Sequence, residues 1–300
     1  MKIAIIGHKG RMGAMLVRRL KKSNEAHAQT FEQEFGQEFG HVHEVVGIDR
    51  TASEPLTPER LAPIVKDADV IVLCVLASAM REVCAMIGPL LEPWQVLSDI
   101  TSVKVQPMQM MERYHAGPVV GTHPLFGPSP SKGSTGQMPV TITPSLRTHA
   151  APATMQDCDG VQGSDGVQGS DGVQISIVQE EHIRKVETIF ELIGATTFRA
   201  TANEHDRSMA AIQGLNYIST VAYFATLAHD ESLIPYVTPS FRRRMEASRS
   251  LLDADGKLFM GMFEANPHSQ EMVRAFRTYL AVAASGDVDV LLQRALWWWE

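Results

Sequence analysis

Lys2-Ile3-Ala4-Ile5-Ile6-Gly7-His8-Lys9-Gly10-Arg11-Met12-Gly13 is the stretch that decides the fold. Its first half is a β-branched run suited to a buried strand. The glycines that follow, spaced G-x-x-G-x-x-G, lead into the helical pattern Met15-Leu16-Val17-Arg18-Arg19-Leu20. Strand, glycine turn and helix in that order begin a dinucleotide-binding unit. Glycine lets the turn approach a pyrophosphate closely, and the unpaired N–H groups and dipole of the helix N-terminus favour the anion. The spacing is a variant of G-x-G-x-x-G, and glycine turns after strands also serve purely structural ends. Gly7, Gly10, Arg11, Met12 and Gly13 are the candidate cofactor loop. His8 and Lys9 read as solvated, with approach of Lys9 to phosphate the alternative.

The next strand is expected over Glu44–Ile48, ending in Asp49, where a Rossmann fold places an acid on the ribose hydroxyls. Asp49 lies beyond the usual ~20 residues from the glycines, because Ser23 to His43 intervenes. That insertion holds the tandem Gln33-Glu34-Phe35-Gly36 and Gln37-Glu38-Phe39-Gly40 and reads as a surface elaboration. Its His27, His41 and His43 read as a polar loop rather than a metal site. Asp49 would repel a 2′-phosphate and favours NAD, whereas Arg50 beside it leaves NADP open.

Asp69-Val70-Ile71-Val72-Leu73-Cys74-Val75 has the apolar continuity of a central parallel strand, and Val75 at its end joins the candidate cofactor contacts. A helix from Leu76 through Ile87 and a strand over Gln95–Ser98 follow. Strands alternating with helices imply a doubly wound sheet whose ligands gather at the strands' carboxyl ends. Ser102 and Lys104 follow one such end and His123 another. Each has a structural alternative: Ser102 as the cap of the next helix, and Lys104 as a solvated helix charge.

Gly121-Thr122-His123-Pro124-Leu125-Phe126-Gly127-Pro128 follows the apolar Pro118-Val119-Val120. A strand entering a loop with two prolines and two glycines holds its single imidazole in a fixed place. His123 is the leading catalytic candidate. The alternative is a loop histidine that bonds only its own turn.

Met138–Thr143 reads as a further strand. From Asp159 to Gln174 the chain repeats Asp-Gly-Val-Gln-Gly-Ser, low-complexity material with little to bury, read as a flexible insertion rather than a calcium-binding repeat. Regular structure resumes at Ile175–Val178, with a helix over Glu181–Ile193 and a strand over Thr196–Arg199. The boundary is placed near Thr201. Residues 1–200 form a Rossmann-type α/β domain with insertions near 23–43 and 150–174, and residues 201–300 form an all-α domain. Helices are expected over Glu204–Leu227, Ser240–Leu252, Gly256–Ala265 and Ser269–Ala284. Phe241 to Arg249 is locally basic, and an arginine turned to the interdomain cleft would suit a carboxylate through its planar fork. Trp297-Trp298-Trp299 reads as docking the last helix or covering a subunit interface.

With 300 residues, 44% hydrophobic and 20% charged, the chain can bury a full core in two domains without staples. A net charge of -7 gives no general attraction to nucleic acid or an anionic membrane, so neither is an expected partner. Cys74, Cys84 and Cys158 have no metal-type spacing and suit a reducing cytoplasm. Neither a signal peptide nor an anchor is expected, and no metal.

The sequence resembles the prephenate/arogenate dehydrogenase family of tyrosine biosynthesis. The likeness rests on the N-terminal G-x-x-G-x-M-G, on Asp99-Ile100-Thr101-Ser102-Val103-Lys104, on the G-T-H-P-L-F-G-P loop, and on Glu204-His205-Asp206-Arg207-Ser208-Met209-Ala210. The resemblance implies NAD(P)-dependent oxidative decarboxylation of prephenate to 4-hydroxyphenylpyruvate. It gives His123 the C4 hydroxyl and its proton, and Ser102 the orienting of imidazole and hydroxyl. An arginine of the helical domain would hold a substrate carboxylate, Arg249 first, with Arg242 and Arg244 as rivals. The resemblance also implies a homodimer joined through the helical domain. Many members carry a substrate-contacting histidine where this chain has Asn216-Tyr217, which leaves prephenate against arogenate open. His205 and Asp206 are read as bracing the interdomain junction, without chemistry. Two alternatives remain. A β-hydroxyacid dehydrogenase would want a catalytic lysine at an interdomain helix, and none is obvious. A nucleotide-sensing binding protein would bind cofactor without turnover.

Overall fold

The computed structural model describes residues 1–35, 43–51, 53–129, 136–145, 177–253 and 255–300. Its N-terminal, sheet-bearing part holds β1 (Lys2–Ile6), α1 (Arg11–Phe35), β2 (Glu44–Ile48), α2 (Pro58–Val65), β3 (Val70–Leu73) and α3 (Met80–Ile87). β4 (Val96–Asp99), α4 (Val105–Tyr114), β5 (Val119–Pro124), β6 (Pro139–Pro144), α5 (Ile177–Glu191) and β7 (Thr196–Arg199) complete it. The strands form one sheet in the order β2-β1-β3-β4-β5-β6-β7. β1 to β5 are mutually parallel, β6 runs antiparallel to β5, and β7 is parallel to β6. The order reverses between β1 and β3, so the crevice at their carboxyl ends is where such a sheet takes a ligand.

Strand alternation divides the core between the two faces. Ile3, Ile5, Val70, Val72 and Val96 pack with Met15, Leu16 and Leu20 of α1 and with Ile183, Val186 and Phe190 of α5. Ala4, Ile6, Ile71, Leu73 and Leu97 pack with Leu61 of α2, Met80, Val83 and Ile87 of α3, and Met108 and Met111 of α4. Burial on both faces is why these strands read as apolar runs rather than alternating ones.

The C-terminal helical region holds α6 (Ala202–Met209), a wider π-type turn at Ala210–Gly214, α7 (Leu215–Thr226), α8 (Pro239–Leu252), α9 (Gly256–Ala265), α10 (Ser269–Ala284) and α11 (Val288–Leu296). Thr201 caps α6 in a reciprocal box: its hydroxyl accepts from the Glu204 N–H, and the Glu204 carboxylate accepts from the Thr201 N–H.

Several expectations change. Ser23 to Phe35, read as the start of a surface insertion, continues α1, because its Ala, Glu and Gln are good helix formers. His27 is therefore helical, while Gly36, His41 and the second Gln-Glu-Phe-Gly copy lie outside the described residues. The Asp-Gly-Val-Gln-Gly-Ser repeat lies outside them too. β5 runs on through Pro124, so His123 stands on a strand rather than in a loop. The helix expected over Glu204–Leu227 carries the π-type turn at its middle. α2 and α11 were not anticipated.

Gly7 sits at φ 88°, and a Cβ there would lie 2.4 Å from the Cys74 carbonyl oxygen. Gly7→Ala therefore meets both left-handed strain and the backbone of the neighbouring strand, and is expected to cost at least about 2 kcal/mol. Gly261→Ala, in α9 with open space around it, should leave stability unchanged or raise it by up to ~1 kcal/mol. Urea unfolding midpoints of the two variants measure the contrast.

Candidate active site

The site grows from the carboxyl end of β4. Asp99 is wholly buried, and its Oδ2 accepts from the Thr101 N–H at 2.9 Å, from the Thr101 hydroxyl, and from Lys104 Nζ at 2.5 Å. Its Oδ1 accepts from the Thr122 N–H of β5 at 3.3 Å. Lys104, expected as a solvated charge, is also completely buried. Burial pushes its ammonium pKa down and the Asp99 carboxylate opposes that shift. Such a pair persists only where further hydrogen bonds replace lost water, as the Thr101 and Thr122 groups do here. Gly121 lets the pair fit: a Cβ there would lie 2.6 Å from Met108 Sδ and 3.2 Å from Asp99 Oδ1.

His123 follows on β5, 4% exposed, with Nδ1 2.9 Å from Nε2 of His205 on α6. The rings meet edge to face at 71°. His205 Nδ1 lies 2.8 Å from Asp206 Oδ1. Asp206 is fully buried and accepts the Lys104 N–H at Oδ1 (2.6 Å) and the Val105 N–H at Oδ2 (2.9 Å). The cap of α4 thus comes from the helical region, and the Ser102 cap expected from the sequence is not made. Asn266 Nδ2 donates to the Asp206 carbonyl oxygen at 2.7 Å, tying α6 to the segment before α10. Ser102 is half-buried between β4 and α4, and the bonded ring nitrogen of His123 is taken by His205 instead.

Burial, then the charges of His205 and Lys104, hold His123 well below the usual histidine range. Burial also lowers His205, against the pull of Asp206. A neutral, nearly enclosed imidazole at the end of a central strand is suited to accept a proton at neutral pH.

The glycine loop lies at the β1 end of the crevice. A Cβ on Gly13 would lie 2.3 Å from the Gly7 carbonyl oxygen, so the turn closes only around glycine. The first turn of α1 holds no acidic residue, which keeps its N-terminus open to an anion. Asp49 sits beside the loop and accepts from the Lys9 N–H at 2.8 Å. Gly10, Lys9 and Arg50 are exposed, and Met12 and Val75 are half-buried. His8, expected as solvated, instead packs against Gly47, where a Cβ would lie 2.8 Å from its ring. The guanidinium of Arg11 pairs with Asp255, at the start of α9.

The candidate substrate residues stand apart from the histidine pair. Arg242, Arg244 and Arg249 are exposed on α8, and Arg244 lies over the Tyr223 ring at 3.7 Å. Tyr217 on α7 donates to the Gly256 carbonyl oxygen at 3.3 Å and stacks on Phe259. None of the four bonds to His123 or His205 among the described residues. Sequence reading gave Asp99 no role, and it read His205 and Asp206 as a brace of the junction, which the Asp206 bonds to the α4 N-terminus make, but not as a dyad against His123. Their signal was a carboxylate ending a buried strand and an adjacent His-Asp pair just after a capping box.

Removing one member of the buried ion pair leaves the other charge unpaired. Asp99→Ala is expected to lower stability by about 3–5 kcal/mol, and Lys104→Met added to it should restore a large part. Thermal unfolding of the single and double variants tests this, and equal losses in both would show that the pair is not the cause.

Residues 41–153 match the model of the prephenate dehydrogenase nucleotide-binding domain. The chain is 26% identical over 298 residues to the T-protein of Enterobacter agglomerans, covering 97% of this chain and 64% of that protein. It is 26% identical over 164 residues to a probable arogenate/prephenate dehydrogenase of Methanocaldococcus jannaschii, covering 54% of this chain and 30% of that protein. The chain therefore spans less than two thirds of the length of these curated relatives. Among solved structures, Synechocystis arogenate dehydrogenase shares the fold at TM-score 0.63 and 17% identity, over 98% of this chain and 97% of that one. Prephenate dehydrogenase from A. aeolicus, in complex with hydroxyphenyl propionate and NAD+, shares it at TM-score 0.62 and 14% identity, over 98% and 94%. Residues 41–153 thus match the nucleotide-binding domain of prephenate dehydrogenase, and the chain shares its fold with the Synechocystis arogenate dehydrogenase and A. aeolicus prephenate dehydrogenase structures.

Proposed function

We propose that the chain is an NAD-dependent dehydrogenase that oxidatively decarboxylates prephenate to 4-hydroxyphenylpyruvate. Arogenate, which would give tyrosine directly, is the alternative substrate, and NADP the alternative cofactor. The observation that carries the reading is His123: a buried, neutral imidazole on β5, near the carboxyl-end crevice that the glycine loop borders. The NAD+ named for the A. aeolicus structure supports the cofactor, and the glycine loop fits it, since its tight turn closes only around Gly7 and Gly13 and the first turn of α1 carries no acidic residue. The loop, with Gly10, Arg11 and Met12, would hold the pyrophosphate at the N-terminus of α1. Asp49 would take the ribose hydroxyls and disfavour a 2′-phosphate, Arg50 being the feature that leaves NADP open, and Val75 would line the crevice.

When bound, the nicotinamide supplies a hydride acceptor. The protein's part is to hold the ring C4 hydroxyl against His123, which takes its proton as hydride leaves C4. Loss of the ring carboxylate as carbon dioxide makes the ring aromatic, and His123 returns the proton to the oxygen. Ser102 is assigned to orienting the hydroxyl. Arg249, with Arg242 and Arg244 as rivals on the same helix, is assigned to a substrate carboxylate, and Tyr217 to a hydrogen bond with the side chain.

A homodimer is part of the proposal. Tyr279, Leu280, Val290, Leu292 and Trp297 to Trp299 leave an apolar surface exposed on α10, α11 and the residues after it. A cytoplasmic location is likewise part of the proposal; no helix among the described residues is long and apolar enough to cross a membrane. Sedimentation should give twice the mass of the chain, and a monomer at micromolar concentration would remove the dimer from the proposal.

Reduced-nicotinamide absorbance tests the reaction. Prephenate or arogenate with NAD should give turnover, and His123→Ala should lower kcat/KM by ~10²–10⁴-fold. Because burial holds His123 below the ordinary value of about 6.5, kcat/KM should stay level down to that pH and fall only under it. No reduction by folded protein that binds NAD would point instead to a nucleotide-sensing binding protein.

A further inference from the structure

The contacts of His123 determine which of its nitrogens is free. Asp206 is an acceptor, engaged by the Lys104 and Val105 N–H groups, so His205 Nδ1 at 2.8 Å must carry the proton that joins them. In a neutral imidazole the other nitrogen, Nε2, is then an acceptor. It lies 2.9 Å from His123 Nδ1, which must in turn carry a proton. That leaves Nε2 of His123 with its lone pair. The opposite polarity would set a bare His205 Nδ1 against a carboxylate oxygen, with no proton between them.

We propose that His205 is a positioning residue that, held by Asp206, fixes His123 in the Nδ1–H tautomer and so presents Nε2 as the base. The inference rests on the reading of His123 as the proton acceptor. In the step, the substrate O–H bond breaks and the proton passes to His123 Nε2, while no proton moves along the rest of the chain. The imidazolium that forms keeps its Nδ1–H bond to His205, and Asp206 stays ionised. Its charge faces the cation through one ring, as a buried carboxylate does behind other catalytic imidazoles. His205 and Asp206 stand on α6 and His123 on β5, so the tautomer is set only where the helical region is docked on the sheet-bearing part. The N-terminus of α4 holds the carboxylate, and Asn266 Nδ2 donates to the Asp206 backbone carbonyl oxygen and so fixes the residue itself. The same Asp206 that orients the imidazole therefore also caps a helix of the sheet-bearing part.

Two-bond proton–nitrogen correlation spectra of ¹⁵N-histidine-labelled full chain read the tautomers directly, with His123→Asn and His205→Gln assigning the signals. Both rings are expected protonated at Nδ1 and bare at Nε2 near neutral pH. An Nε2–H tautomer for His123 overturns the proposal. Kinetics give a second readout. His205→Leu should lower kcat on the order of 10²-fold with KM little changed, and His205→Gln, whose carboxamide oxygen can accept from His123 Nδ1, should recover much of it. Equal kcat in a folded His205→Leu variant overturns the proposal as well. Failure of the function reading looks different: no substrate is turned over, while the spectra still show the Nδ1–H pair.

Discussion

Two opposite charges without access to water stand where β4 meets α4, and much of the site is arranged around keeping Asp99 and Lys104 satisfied. A buried ion pair is a weak source of stability, because desolvation offsets most of the attraction. It is a strong source of geometry. Asp99 fixes the turn through Thr101, reaches across to the Thr122 N–H on β5, and directs Lys104 inward. The residue after Thr122 is His123. The proposed base is therefore held one position beyond a backbone group that the buried carboxylate has already bonded.

The second constraint runs between the sheet-bearing part and the helical region. α4 has no side-chain cap of its own, and its first N–H groups are completed by Asp206 from α6. A helix N-terminus buried without partners is costly, so docking the helical region completes the sheet-bearing part as well as covering it. The same carboxylate orients His205 against His123. The cap of α4, the docking of the helical region and the orientation of the histidine pair thus share one side chain.

The sheet was legible because buried parallel strands are written as apolar runs, and the glycine turn fixed where the first of them ends. The helices over Gly256–Ala265 and Ser269–Ala284 were readable from periodicity and match α9 and α10. Ser23 to Phe35 misled because a repeat and scattered histidines resemble a loop, whereas helix propensity spread over many residues decides the matter. Within the site, His123 was found as a residue but placed in a loop, since the prolines and glycines around it suggest turns. Asp206 was read as a brace of the junction and does bond the α4 N-terminus, whereas the burial of Lys104 could not be read. A lysine in sequence is by default a surface charge, and only the distant pairing of β4, β5 and α6 shows otherwise.

The π-type turn at Ala210–Gly214 divides one long rod into two halves of different phase. An extra residue in a turn rotates everything beyond it by about 100°. Before it, the buried positions His205, Asp206 and Met209 belong to the junction with the sheet-bearing part. At it, Gly214 lies against Phe263 and Ser269, and beyond it Tyr217 stacks on Phe259. A single helix can in this way serve two cores with unrelated packing demands. Substitutions that reshape the α9 side need not disturb the register of the histidine pair, so the two faces of the rod are free to vary separately.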